Sequence, residues 1–222
     1  MQRRSSQLEE ALRSIPSYSA ELGLDLSLKR DRFKWFLASM LFAKRISSDI
    51  AKRAFRAMVD GGLAEPGAIL EAGWDAVVRA LDEGGYVRYD FSTATNIIES
   101  VKLLVEKYGG DVDNIAAQAS DERDLERRLM EFRGFGEVAV NIFLRELRGL
   151  WDKAKPRPSP HALSVASRLG LSQDLVERYE PQLVRIFIEY CKRGRCGVCR
   201  ASAYCSGGPG RGGGAPPEPR NP

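Results

Sequence analysis

Four cysteines stand within fifteen residues near the C-terminus: Cys191, Cys196, Cys199 and Cys205, spaced C-x4-C-x2-C-x5-C. Thiols this close can surround one inorganic centre. A cubane iron–sulfur cluster takes four cysteine ligands, and tetrahedral zinc accepts the same set. Structural zinc sites commonly present two separated C-x-x-C knuckles, whereas here only Cys196 and Cys199 make one. Two disulfides are the remaining alternative, and a reducing compartment opposes them. Lys192, Arg193 and Arg195 fill the first gap and Arg200 follows Cys199. Cations on a metal-pinned loop can meet DNA phosphates; a solvated surface loop would carry the same residues.

A second chemical feature is the turn Phe132-Arg133-Gly134-Phe135-Gly136. Its glycines permit a tight reversal and a close backbone approach. The helix expected after it would open on free N–H groups, which suit a phosphate. Such a hairpin grips nucleic-acid backbone without reading sequence. Many helical hairpins turn on glycine, so the value of this turn lies in its place ahead of a loop, a capped helix and the cysteines.

The elements that must position these residues are helical. Ser6-Gln7-Leu8-Glu9 reads as a capping box ahead of an apolar stripe of Leu8, Ala11, Leu12 and Ile15. Asp31 is placed to cap a second helix in which Phe33, Phe36, Leu37, Met40 and Leu41 share one face. Further helices are expected from about 48 to 59, through Trp74 to Leu81, through Ile97 to Val105, and through Leu125 to Phe132. Gly61, Gly84 and Gly109 serve as stops. Ala139, Ile142 and Phe143 mark the helix after the glycine turn, and two more are expected over about 160–169 and 173–190. No strand-like alternation or internal repeat stands out. Residues 206–222 are mostly glycine and proline, with two arginines and nothing to build a core, so a disordered tail is expected.

With 222 residues the chain is long enough for a real core or two small lobes. Its net charge of +4 permits nucleic-acid binding without demonstrating it. No apolar run approaches a membrane span and no secretion signal opens the chain, which places the expected protein in the cytoplasm, associated with the nucleoid and not with membrane.

Taken together these features resemble the endonuclease III and MutY branch of the helix-hairpin-helix DNA glycosylases, over about residues 30 to 205. The resemblance rests on Phe33 to Leu41 as the first barrel helix and on Phe132 to Ile142 as the L-x-G-x-G-x-x-x-A-x-x-I hairpin. It rests also on His161 through Arg168-Leu169-Gly170 and on the terminal cysteines. It implies an all-α fold of two helical lobes. One is a six-helix barrel with the helix-hairpin-helix over 31–152; the other combines 1–30 and 153–205 around a 4Fe–4S cluster on Cys191, Cys196, Cys199 and Cys205. It further implies a monomer that holds double-stranded DNA in the cleft and flips a damaged or mismatched base out of the stack. Arg133, Gly134, Phe135 and Gly136 would then meet DNA, with Lys192, Arg193 and Arg195 from the cysteine loop.

The departures bear on chemistry. The family's catalytic aspartate lies two residues before the histidine of V-D-T-H; here the stretch is Pro158-Ser159-Pro160-His161, so Ser159 takes that place. Serine preserves the N-cap, and Pro160 suits the first helical position. The carboxylate that would stabilise positive charge on the sugar and orient water is gone. The family's lyase lysine falls at Val138, and no lysine lies between Glu137 and Gly149, so no beta-elimination step of the usual design is expected. Lys44 stands where the family has a DNA-holding glutamine, and the first cysteine gap is shorter than in endonuclease III. Asp152 and Asp90 are the candidate replacement acids, Lys153 and Lys155 the candidate amines, and His161 reads as structural. The expectation is a base-excision DNA glycosylase without the lyase step. Its alternative is a DNA-binding or damage-recognition protein of the same fold that has lost hydrolysis.

Overall fold

The computed structural model describes residues 2–207. It is all-helical, with no strand among the described residues. The chain divides into two compact units, Leu22–Pro156 and the paired segments Met1–Glu21 and Arg157–Pro222. The paired segments contribute α1 (Gln2–Arg13) and α2 (Tyr18–Glu21). The continuous unit holds α3 (Lys29–Phe42), α4 (Ser48–Asp60), α5 (Pro66–Glu83), α6 (Asp90–Tyr108), α7 (Asp113–Gln118), α8 (Glu122–Met130) and α9 (Glu137–Arg145). The chain then returns to the first unit with α10 (Pro160–Leu169) and α11 (Gln173–Ile186). A π-helical turn, Phe187–Cys191, and two 3-10 turns, Cys196–Val198 and Ser202–Tyr204, complete it.

Local hydrogen bonds explain why the division falls at 21/22 and 156/157 and not at 30/31 and 152/153. Arg32 Nη1 donates to the carbonyls of Leu26 (2.7 Å) and Ser27 (2.9 Å), and the Asp31 carboxylate accepts from the Asp25 amide at 3.0 Å. These bonds bind the approach to α3 into the continuous unit. At the other boundary Lys153 Nζ donates to the Ala116 carbonyl at 3.1 Å, so the loop after α9 stays with α7.

In the continuous unit α3 packs against α4, α6 and α9. The expected apolar face of Phe33, Phe36, Leu37, Met40 and Leu41 is buried, but Trp35, Ala38 and Ser39 on its other side are buried too. A helix enclosed all round has no solvent face to keep polar. Its one indole N–H is satisfied by the Phe143 carbonyl at 3.2 Å, and Ser39 Oγ bonds back to the Trp35 carbonyl at 2.8 Å. Asp31 is not the cap: α3 starts at Lys29 behind Leu28, and Asp31 lies in the first turn, where a carboxylate faces the positive end of the helix. The short α7 was not anticipated; six residues are too few to show a periodicity. α5 begins earlier than the Trp74–Leu81 stripe suggests, and Gly73 (φ 78°, ψ −179°) interrupts it. The end of α5 touches α4 so closely that a Cβ at Gly84 would lie 2.2 Å from the Ala54 Cα.

The other unit has its own core. Leu8, Leu12 and Ile15 meet Val165, Leu169, Val176, Leu183 and Phe187. The stripe expected at the N-terminus therefore faces inward, although α1 runs from Gln2 and places Ser6 inside the helix, not at its cap. α11 bends at Tyr179 (φ −108°, ψ 15°), two residues before Pro181, which cannot donate to the helical ladder. Of the expected tail, only Ser206 and Gly207 fall within the described residues, with the Ser206 amide donating to the Arg168 carbonyl at 2.9 Å; 208–222 lie outside them. Among the described residues no helix is long and apolar enough to cross a membrane.

Candidate functional site

The four cysteines are delivered by successive tight turns. Cys191 closes the π turn, in which the Lys192 amide reaches back to the Phe187 carbonyl at 2.8 Å. Cys196 opens a 3-10 turn that the Cys199 amide closes on the Cys196 carbonyl (3.1 Å). The Ser202 amide then bonds the Cys199 carbonyl at 3.0 Å and the Cys205 amide the Ser202 carbonyl at 3.2 Å. No disulfide joins any of them. All four line one cavity, with Val165, Leu169 and Ile186 as apolar wall and Arg168 beside them. Burial pushes the Cys191 thiol up to about 11, the Arg168 guanidinium opposes this, and the other three cysteines reinforce it. Burial raises Cys199 as well. Such thiols stay protonated in neutral water, and a metal would have to displace their protons on binding. Among the described residues no group of three or more histidine, cysteine, aspartate or glutamate side chains is arranged to hold a metal ion. Lys192, Arg193 and Arg195 lie exposed in the loop between Cys191 and Cys196. Arg200 is tied down, its Nη1 donating to the Ser14 carbonyl at 2.8 Å.

In the continuous unit the glycine turn joins α8 to α9. Its two phenylalanines face inward and its other residues outward: Phe132 and Phe135 are buried, whereas Arg133, Gly134 and Gly136 are exposed. Phe36 of α3 stacks on Phe135 (4.6 Å between centroids, 12°) and meets Phe132 and Phe143 edge to face at 5.2 and 5.7 Å. Edge-to-face and stacked pairs add to the area term, so the turn is held from beneath by four rings. From the side, Ser100 Oγ donates to the Arg133 carbonyl at 3.0 Å. Gly134 has φ 81°, a conformation open to glycine at no steric cost. A Cβ there would lie 2.5 Å from the Asn96 side-chain nitrogen. α9 starts behind Gly136 with no side-chain cap, and Glu137 and Val138 in its first turn are exposed, Val138 by 61%. No side chain caps the first amides of α9. Lys44 lies half-buried just past the end of α3.

The third candidate segment is the start of α10. Ser159 is its N-cap, Oγ accepting from the Ala162 amide at 3.4 Å, and Pro160 follows at the first helical position. The Ser159 amide donates to Glu180 Oε1 at 2.8 Å, and Glu180 is 0% exposed. The His161 ring stacks on Phe187 at 4.3 Å and 10°, packing α10 on the π turn that ends in Cys191.

The sequence alone did not single out Glu180. The signal for it was present, since it falls on the stripe of Val176, Tyr179, Leu183 and Val184, where an acid is out of place. Asn96 and Ser100 also went unmarked; they stand one turn apart on α6, but only the fold brings them to the glycine turn.

The other candidate groups are otherwise engaged. Lys153 Nζ donates to the Ala116 and Ala119 carbonyls at the end of α7, and Lys155 pairs with Glu122 at 3.0 Å. Neither is the free amine that the loop sequence suggested, because uncovered carbonyls at a helix C-terminus attract cations. Asp152 is exposed in the loop after α9, and Asp90 accepts from the Phe91 amide at 2.7 Å in the first turn of α6. The carboxylate that bonds to Ser159 is that of Glu180. No protein-family model matches the chain, and no curated protein matches it.

Proposed function

We propose that this protein binds duplex DNA through a helix-hairpin-helix formed by α8, the glycine turn and α9, and that it is a glycosylase-like base-excision protein without a lyase step. The observation that carries the proposal is the division of labour in the turn. Phe132 and Phe135 are locked into an aromatic cluster, while Gly134, Gly136 and the first two residues of α9, which has no side-chain cap, are exposed. Backbone N–H groups at a helix start bind phosphate without sequence selection. On this reading α3 to α9 form the six-helix barrel lobe, with α7 an added turn, and the cysteine-bearing unit is the iron–sulfur lobe.

The donor set fits a 4Fe–4S cluster. Four thiols line one cavity, and four cysteine thiolates are the ligand set of a cubane. Bound there, the cluster would tie the π turn and the two 3-10 turns into one rigid loop. The chain's own part is to hold Lys192, Arg193 and Arg195 on the outside of that loop, where phosphates can meet them.

Base excision without a lyase step fits Val138, which offers no amine at the hairpin. The carboxylate nearest Ser159 is Glu180, which holds the Ser159 amide and so acts as a positioning residue for the start of α10. A second reading keeps the DNA binding and drops hydrolysis; it is favoured by the engagement of Ser159 Oγ as a cap, which leaves no acid at the family's position.

Anisotropy of a labelled duplex across a salt series tests the binding. The expected result is a steep fall of log K with log salt, reduced in slope by Arg133→Gln. Failure to associate at low ionic strength removes the proposal. Free-base release from a panel of lesion-bearing duplexes separates the two readings. Release by the native chain supports excision. An inert native chain that gains release on Ser159→Asp supports the second.

A further inference from the structure

Among the described residues, Arg168 is the one charged residue lining the cysteine cavity. The loop cations Lys192, Arg193 and Arg195 do not line it, although they are closer to the cysteines in sequence. The last turn of α10 carries Arg168, and the same residue's carbonyl accepts from the Ser206 amide at 2.9 Å, just past Cys205. The guanidinium lies under the chain at Gly207, where an added Cβ would come within 3.4 Å of Nη1. Its main chain thus anchors the segment just past Cys205, and its side chain lies beside that segment and lines the cavity with the four thiols.

We infer that Arg168 is the internal counter-charge of the cysteine centre: it offsets one unit of the net negative charge that the four thiolates leave on the centre when the metal group is in place. The inference rests on the proposed iron–sulfur reading of the cavity. Four thiolates give a cubane a net negative charge in either of its ordinary states, and the apolar wall of Val165, Leu169 and Ile186 screens that charge poorly. A fixed cation stabilises the more negative, one-electron-reduced state more than the oxidised one, so it raises the reduction potential. Arg168 touches no substrate and is a positioning and charge-balancing residue.

The test uses the full-length, anaerobically purified protein. Iron and sulfide content are measured first, then the midpoint potential by mediated optical titration, for the native chain, Arg168→Gln, Arg168→Lys and Arg195→Gln. Arg168→Gln is expected to retain iron but to make one-electron reduction about tenfold less favourable, a lowering of about 59 mV for a one-electron couple. Arg168→Lys should recover most of the difference, and Arg195→Gln, an exposed cation outside the cavity, should change it little. Loss of iron to a chelator should be fastest in Arg168→Gln. Equal potentials in the native chain and Arg168→Gln overturn the inference, as does an equal shift from Arg195→Gln. Should Arg168→Gln fail to fold, Arg168→Met, which also removes the charge, takes its place, and the inference fails if that variant shifts the potential no more than Arg195→Gln does. Native protein that holds no iron overturns the iron–sulfur reading itself, a result distinct from iron-loaded protein indifferent to Arg168.

Discussion

Gly134→Ala tests the geometry on which the DNA-binding proposal stands. The substitution meets two obstacles. At φ 81° any residue with a Cβ sits in left-handed backbone, which costs roughly 1–2 kcal/mol. The new Cβ would also stand 2.5 Å from Asn96 Nδ2 and 2.9 Å from its Cγ, well inside ordinary contact, so the Asn96 side chain must turn away or the turn must shift. Crowding of this kind typically costs about 1–3 kcal/mol, so the single variant should lose about 2–4 kcal/mol in urea denaturation. Asn96→Ala alone removes a half-buried side chain and should cost under about 1 kcal/mol. The double variant frees the space but not the backbone, and should sit only about 1–2 kcal/mol below the native chain. The cycle therefore predicts a coupling of about 1–2 kcal/mol between positions 134 and 96. Duplex affinity should follow, falling about tenfold in the single variant for each 1.4 kcal/mol by which the turn is displaced and recovering in part in the double. Additive effects at the two positions would refute the contact. Undiminished duplex binding by a destabilised Gly134→Ala chain would refute the hairpin as the DNA-gripping element.

Two further predictions concern the frame around the turn. Gly84→Ala should destabilise the protein by about 3 kcal/mol, because the added carbon meets the Ala54 backbone at 2.2 and 2.3 Å; Ala54→Gly should not rescue it, and a denaturation midpoint unchanged in Gly84→Ala would disprove the close approach of α4 and α5. Asp124 lies at the start of α8, and the Ser120 amide, Arg128 and Arg127 hold its carboxyl far below the usual carboxylate range. Its folded value is below its unfolded value, so the unfolded chain takes up the proton first as pH falls. The stabilisation is thus complete above about pH 4 and is lost progressively below it. Native protein and Asp124→Asn should therefore differ in urea midpoint at pH 7 and converge toward pH 2, and curves that stay parallel throughout would count against the assignment.

The helical class was legible because apolar residues recur at helical spacing while strand alternation is missing, and glycines stop the helices at Gly61, Gly84 and Gly109. The cap at Ser159 with Pro160 behind it was equally local: an N-cap needs only a side-chain oxygen two or three residues from a free amide. The cysteine spacing likewise announced that four thiols belong together. What periodicity could not convey is enclosure. α3 reads as one-sided, yet from Trp35 to Leu41 it is buried on every side because α4, α6 and α9 pack against it, and neighbours remote in sequence leave no mark on its own pattern. The sequence offers Asp152, the nearest acid upstream of Ser159, and Asp90, ahead of the long helix, as replacement carboxylates. The one that touches it comes from Glu180, twenty-one residues on, because α11 packs against α10. Asn96 beside Gly134, and Arg168 rather than the nearer loop cations in the cysteine cavity, have the same origin. Local rules decide which groups a segment carries and how its ends are satisfied; only packing decides which of them share a space, because that depends on helices that the chain joins over long distances.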